Sequence, residues 1–182
     1  MKLTQFSEEE QIFLKKLDTD KFEQILPALK QIEESGKPEY LPILFDLKLN
    51  SQIDLVQREL NALFIGLKVQ AAADLIMSAV ADPLYAEIKS FLISLAWQTS
   101  LDFSDYFDEF VRIFVSEPDF MVAFEAYTVI ENMDHHYAKF DLPHLVAVLK
   151  EESLSIHADK KELIVELIHK FQDIIENGFP EE

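Results

Sequence analysis

The 182-residue chain has no cysteine and only three glycines. Without cysteine, thiol catalysis, thiolate metal sites, redox switching and a disulfide-framed secreted scaffold are excluded. Three glycines are too few to supply the turns of an all-β protein. Positive charge is also scarce. Sixteen Lys and Arg stand against 34 Asp and Glu, a formal −18, and the basic residues are scattered along the chain. A polyanion would oppose that field and meet few of the cationic contacts on which nucleic-acid affinity rests, so DNA, RNA and anionic membranes are not expected partners. The acidity suits either colloidal solubility or the recruitment of a basic partner. Long apolar runs are missing too. The richest, Phe91 to Trp97, is bounded by Lys89 and Asp102, well short of the ~20 residues that span a bilayer. The opening MKLTQFSEEEQIFLKK places Glu8, Glu9, Glu10 and Gln11 where a signal peptide carries its apolar core, which leads to the expectation of a cytoplasmic protein.

Hydrophobic residues make up 49% of the chain, too many for disorder and enough for one ordinary domain or a short repeat array. Helix is the default class, and its boundaries are legible. Ser7 precedes Glu10 and Asp159 precedes Glu162 at capping-box spacing, and Asp82 stands before Pro83. Gly36 closes one helix, and Asn177-Gly178 closes the last. Between these marks apolar residues recur at three and four: Leu41, Leu44, Phe45 and Leu47; Leu60, Leu63 and Phe64; Ile88, Phe91, Leu92 and Leu95. The spacing predicts ten helices, at 7–17, 20–35, 38–49, 52–66, 70–81, 84–98, 104–116, 119–133, 141–151 and 159–176. Short links such as Asn50-Ser51 join them as antiparallel hairpins, the fifth pair through a looser segment near Ser153 to Ala158. Pro27 and Pro42 require their helices to start later or to bend.

The pairs superpose. Leu44, Leu75, Phe110 and Leu145 align in the first helices at intervals of 31, 35 and 35, and Leu60, Leu92, Tyr127 and Ile164 in the second at 32, 35 and 37. A period in this range is that of a helical-hairpin solenoid, although an unrelated bundle of equal helices would show part of it. The segments LPALKQI (Leu26 to Ile32), LPILFDLKL (Leu41 to Leu49) and LPHLVAVLK (Leu142 to Lys150) resemble the opening helix of HEAT-type repeats, with proline near the helix start before an apolar ladder. DPLYAEIKSFLISLA (Asp82 to Ala96) is similar to the turn and second helix of that unit. The resemblance, to HEAT-like or armadillo-type arrays, implies an all-α, right-handed α-α superhelix of about five hairpins, a single repeat domain over 1–182.

No catalytic constellation is present. The sequence has no glycine-rich phosphate loop, nucleophile elbow or His-Glu-x-x-His pair, so no catalytic residue and no cofactor is expected. Asp134-His135-His136, with His144 beyond, lacks metal-ligand spacing and is read as a polar turn rather than a metal site. Trp97, Phe103, Tyr106 and Phe107 surround a longer link; Phe107 and Phe110 are read as core, with Trp97 covering the seam. In a solenoid the second helices line the concave, partner-binding side. The positions beside their buried stripes are Arg58 and Asn61, Lys89 and Trp97, Glu125, Thr128 and Asn132, then Glu166 and His169. This mixed polar groove suits a peptide or protein, and its carboxylates favour Lys or Arg on the partner.

The leading expectation is therefore a non-enzymatic protein-interaction module or scaffold. Two alternatives stay open. One is an accessory or lyase-like enzyme subunit, since some HEAT-like proteins resemble DNA glycosylases or bilin lyase subunits; the glycosylase version lacks its basic groove. The other is a structural homo-oligomer built through an exposed apolar face at the end of the array, where α-helical spacing gives the broad stripe Leu163, Ile164, Leu167, Ile168, Phe171, Ile174 and Ile175; for the chain itself the expectation is a monomer or weak homodimer.

Overall fold

In a computed structural model, which describes residues 6–19 and 21–178, the periodic runs of the sequence become ten α-helices, and no strand occurs among the described residues. They are α1 (Glu8–Leu14), α2 (Phe22–Ser35), α3 (Leu41–Asn50), α4 (Asp54–Ile65), α5 (Ala71–Ala81), α6 (Lys89–Gln98), α7 (Phe107–Ser116), α8 (Phe120–Asn132), α9 (Leu142–Glu152) and α10 (Lys161–Asn177). Tight 3-10 turns precede α3, α6, α7 and α10, which accounts for the earlier starts that the spacing predicts there. No helix among the described residues is long and apolar enough to cross a membrane.

Cap chemistry sets most of the boundaries. The Ser7–Glu10 capping box forms in full at the start of α1. The Asp82 side chain accepts from the Leu84 amide, and Asp119 accepts from Met121 and Val122 ahead of α8. Gly36 ends α2 in the left-handed region at φ 61°, where a side chain would be strained. Pro42 lies in the first turn of α3, where its missing amide costs nothing. Pro27 lies inside α2, which starts at Phe22 rather than at 20 and runs through the proline, leaving the Glu23 carbonyl without its usual donor four residues on. Asp159 departs from expectation. It belongs to the 3-10 turn before α10, caps no amide, and takes His157 Nδ1 at 3.0 Å instead.

The chain divides into two compact units, Met1–Asp102 and Phe103–Glu182. In the first, α5 packs on α6, while α2 meets α4 and α4 meets α6; α3 likewise meets α5. Second helices thus contact second helices and first helices contact first helices, giving two layers. Their shared core holds Phe45 stacked on Phe64 at 5.5 Å, with Tyr85 and Phe91 edge-on to these rings. In the second unit, α7 packs on α8 and α9 on α10. Phe107 is the hub there, 3.9 Å from the stacked Phe140 ring and also against Tyr137 and Phe171. Every residue of the two aligned sets is buried except Leu75, which is half-buried.

Polar contacts join one hairpin to the next. Tyr40, ahead of α3, donates to Glu10 of α1 at 2.5 Å, and Tyr85, ahead of α6, donates to Asp46 of α3 at 2.9 Å. In the second unit Tyr127 of α8 donates to Glu166 of α10 at 2.9 Å. Burial first, and then the neighbouring carboxylate, push Tyr40 and Tyr85 each up to about 12. Lys160, in the turn before α10, is only 4% exposed, and its Nζ donates to the carbonyls of Phe114, Val115 and Glu117 at 2.9, 3.0 and 3.0 Å.

Candidate functional site

The exposed surface of α8 and α10 is the best-formed candidate. The Tyr127–Glu166 bond and the Lys170–Glu131 ion pair, 3.1 Å from Nζ to Oε1, are each offset by 39 residues and lie one turn apart. Two contacts with one offset mean that the helices run parallel, side by side. Extended one turn back, this register sets Phe124 beside the first turn of α10, where Glu162 lies.

α8 is apolar nearly all round, FMVAFEAYTVIEN, and one face cannot bury so much. Val122, Ala123, Ala126, Val129 and Ile130 go inward. Phe120, Met121 and Phe124 remain exposed at 37%, 55% and 38%. Phe120 stacks on Phe124 at 5.8 Å, and Phe124 on Tyr127 at 6.2 Å, so an aromatic ladder follows the edge of α8 nearest α10. On the facing strip of α10, helical spacing aligns Glu162, Glu166, His169 and Asp173, all exposed. Lys170 is engaged with Glu131 and sits over the Tyr137 ring at 5.3 Å. Burial, reinforced by Glu166, raises the Tyr127 phenol above its ordinary range, so the hydroxyl stays a donor and holds that carboxylate in place.

The residues singled out from the sequence divide between the units. In the second, Glu166 and His169 lie on the exposed strip of α10, and Thr128 and Asn132 follow the crest of α8. Thr128 Oγ1 donates to the Phe124 carbonyl, and Asn132 Nδ2 to that of Thr128. Glu125 is half-buried, and helical spacing turns it away from α10. In the first unit Arg58 is exposed on α4. Asn61 is half-buried and accepts from Lys48 Nζ at 2.7 Å. That ammonium also sits 4.3 Å from the Phe91 ring centre, and burial lowers its pKa. Lys89 opens α6, and Trp97, near its end, is exposed.

The residues that sequence reasoning passed over are Phe120, Met121 and Phe124. The signal was present as a second apolar stripe at 120, 124 and 127, beside the buried one. The side chains of Asp134, His135 and His136 lie outside the described residues. No group of three or more His, Asp or Glu suited to a metal occurs among the described residues. The first unit also has a cleft of about 320 Å³ floored by Ile32, Leu41, Leu44, Leu63 and Ala72, with Lys37 and Lys68 at its rim. Glu33 shares that rim and Lys37 is paired with Glu10, so the mouth carries little net charge. Searches of protein-family models, of curated proteins and of solved structures gave no match to this chain.

Proposed function

We propose that the hairpins of each unit are HEAT-like repeats and that the protein is a non-enzymatic interaction module, binding a peptide or protein on the face that the second helices form within a unit. The layering in the first unit supports this reading, because α2, α4 and α6 contact in sequence, as the inner helices of stacked repeats do. Such a layer presents parallel helices with shallow grooves between them, a surface suited to an extended or helical polypeptide. Arg58, Trp97, Glu166 and His169 lie exposed on these second helices.

Site-directed photocrosslinking in cells tests it. A photoreactive residue at position 58 or 166 is expected to give discrete polypeptide adducts, whereas positions 74 and 78 on the first helix α5 give none. Equal yields from both faces, or no adducts from the second-helix positions, would overturn the reading.

A further inference from the structure

Resting on that reading, we infer that the α8–α10 surface is the docking site for a cationic amphipathic helix, whose apolar face covers Phe120, Met121 and Phe124 and whose Lys or Arg residues meet the carboxylates of α10. Two independent observations converge on this occupant. The first is the exposed aromatic ladder, since contiguous exposed aromatics beside a groove are the usual anchor of an interface. The second is charge. Residues 103–182 hold 18 acidic and six basic residues, a formal −12, against 16 and 10 in residues 1–102, a formal −6.

The arrangement specifies the partner's pattern. Glu162, Glu166 and Asp173 lie on one strip of α10, one and two turns apart. A helix lying along the groove meets them with basic residues at i, i+4 and i+11, and reaches the ladder with apolar residues one face away. Glu166 is presented in a fixed rotamer by Tyr127 at 2.9 Å, and a pre-positioned acceptor loses less side-chain freedom on binding. An acidic or neutral helix finds the same rings but leaves these carboxylates facing an apolar or like-charged surface, which disfavours it. The cleft of the first unit offers no comparable charge preference.

The test is fluorescence anisotropy on the full chain with three labelled 18-residue peptides: an amphipathic Leu/Lys helix, its Leu/Glu counterpart with the same apolar pattern, and a scrambled Leu/Lys sequence. The amphipathic cationic peptide is expected to bind, and to weaken as salt is raised. Phe124→Ala weakens it at least about tenfold, as loss of an aromatic anchor does. Glu162→Lys weakens it about fivefold or more at low salt. Both groove positions are exposed, and unchanged circular dichroism melting confirms that the variants fold. The inference falls if the scrambled or the anionic peptide binds equally well, if Phe124→Ala or Glu162→Lys leaves the affinity unchanged, or if nothing binds. If the cationic helix fails while position 166 still crosslinks a polypeptide, the partner class is wrong and the interaction module stands. If neither occurs, both are wrong.

Discussion

Replacing Lys160 by methionine tests how α7 is closed. A helix leaves its last four carbonyls without intrahelical donors. In α7 these belong to Ile113, Phe114, Val115 and Ser116. The Glu117 amide takes that of Ile113, and the three N–H bonds of the Lys160 ammonium take Phe114, Val115 and the following Glu117 carbonyl. Methionine keeps most of the buried stem and removes all three donors. The contact to Phe114 is buried, so its carbonyl has no water to fall back on; such an orphan costs ~1–3 kcal/mol. The contacts to Val115 and Glu117 are half-buried, and water can replace them. Losing a cation at the negative end of the helix adds ~0.3–1 kcal/mol. Part of this is returned, because burial disfavours the ammonium and lowers its pKa. The net expectation is a loss of about 2 kcal/mol, or a Tm lower by ~4–8 °C for a chain of this length. Urea denaturation measures it as a lower midpoint at unchanged slope. Lys161→Met, at the exposed next position, serves as the control and changes stability by less than ~0.5 kcal/mol. A Lys160→Met loss no larger than the control's would show that the ammonium does not close the helix.

Two further outcomes concern pH. Glu10 is held at about 2, chiefly by Lys37 and then by Tyr40 and the Ser7 cap, so its contribution to stability is full above about 4.5 and is lost as pH falls towards 2. Between pH 5 and 2 the urea midpoint of Glu10→Gln is expected to fall less than that of the wild type; parallel curves would contradict this. At the alkaline end, Tyr40 and Tyr85 each stand at about 12 and Tyr127 is raised further, so their stabilisation is complete below about 10; that of Tyr40 and Tyr85 disappears as pH rises towards 12, and that of Tyr127 is lost last. Absorbance at 295 nm should show at least three tyrosines still un-ionised at pH 11, and Tyr85→Phe should lower that number by one; a single midpoint near 10 for every tyrosine in the folded protein would refute it.

The helices were legible in the sequence because periodicity and caps are local. Leu44, Leu60, Leu92, Phe110 and Ile164 sit on predicted stripes, and all are buried. Ser7, Asp82 and Gly36 act within four residues of themselves, so their spacing carries the information. Asp159 shows the limit of that reasoning. Its spacing to Glu162 matches a capping box, but the chain enters α10 through a 3-10 turn that moves the aspartate one turn out of reach. The Tyr85–Asp46 and Tyr127–Glu166 contacts span 39 residues each, and Lys160 reaches back 46 to Phe114. Such pairings depend on how hairpins stack, which no window of sequence contains. For the candidate site, the sequence pointed to polar positions on the same two helices, Glu125, Thr128 and Asn132 on α8 and Glu166 and His169 on α10. It missed the rings of α8 because an apolar residue in a rich helix reads as core until burial has been counted. The stripe of α10 is mostly covered, with Ile164, Leu167, Ile168, Phe171 and Ile174 inside and Ile175 outside.

The tyrosine–carboxylate contacts bear on how the chain can vary. Leucines and phenylalanines along a seam accept a neighbour that has slid by a turn almost as well as one that has not, because dispersion has no preferred direction. A phenol aimed at one particular oxygen does not tolerate such a slip. Tyr127 with Glu166 therefore works as a detent between two otherwise slippery rods: side chains along the seam can drift in size, while an added residue in the middle of α8 or α10 would pull the pair apart.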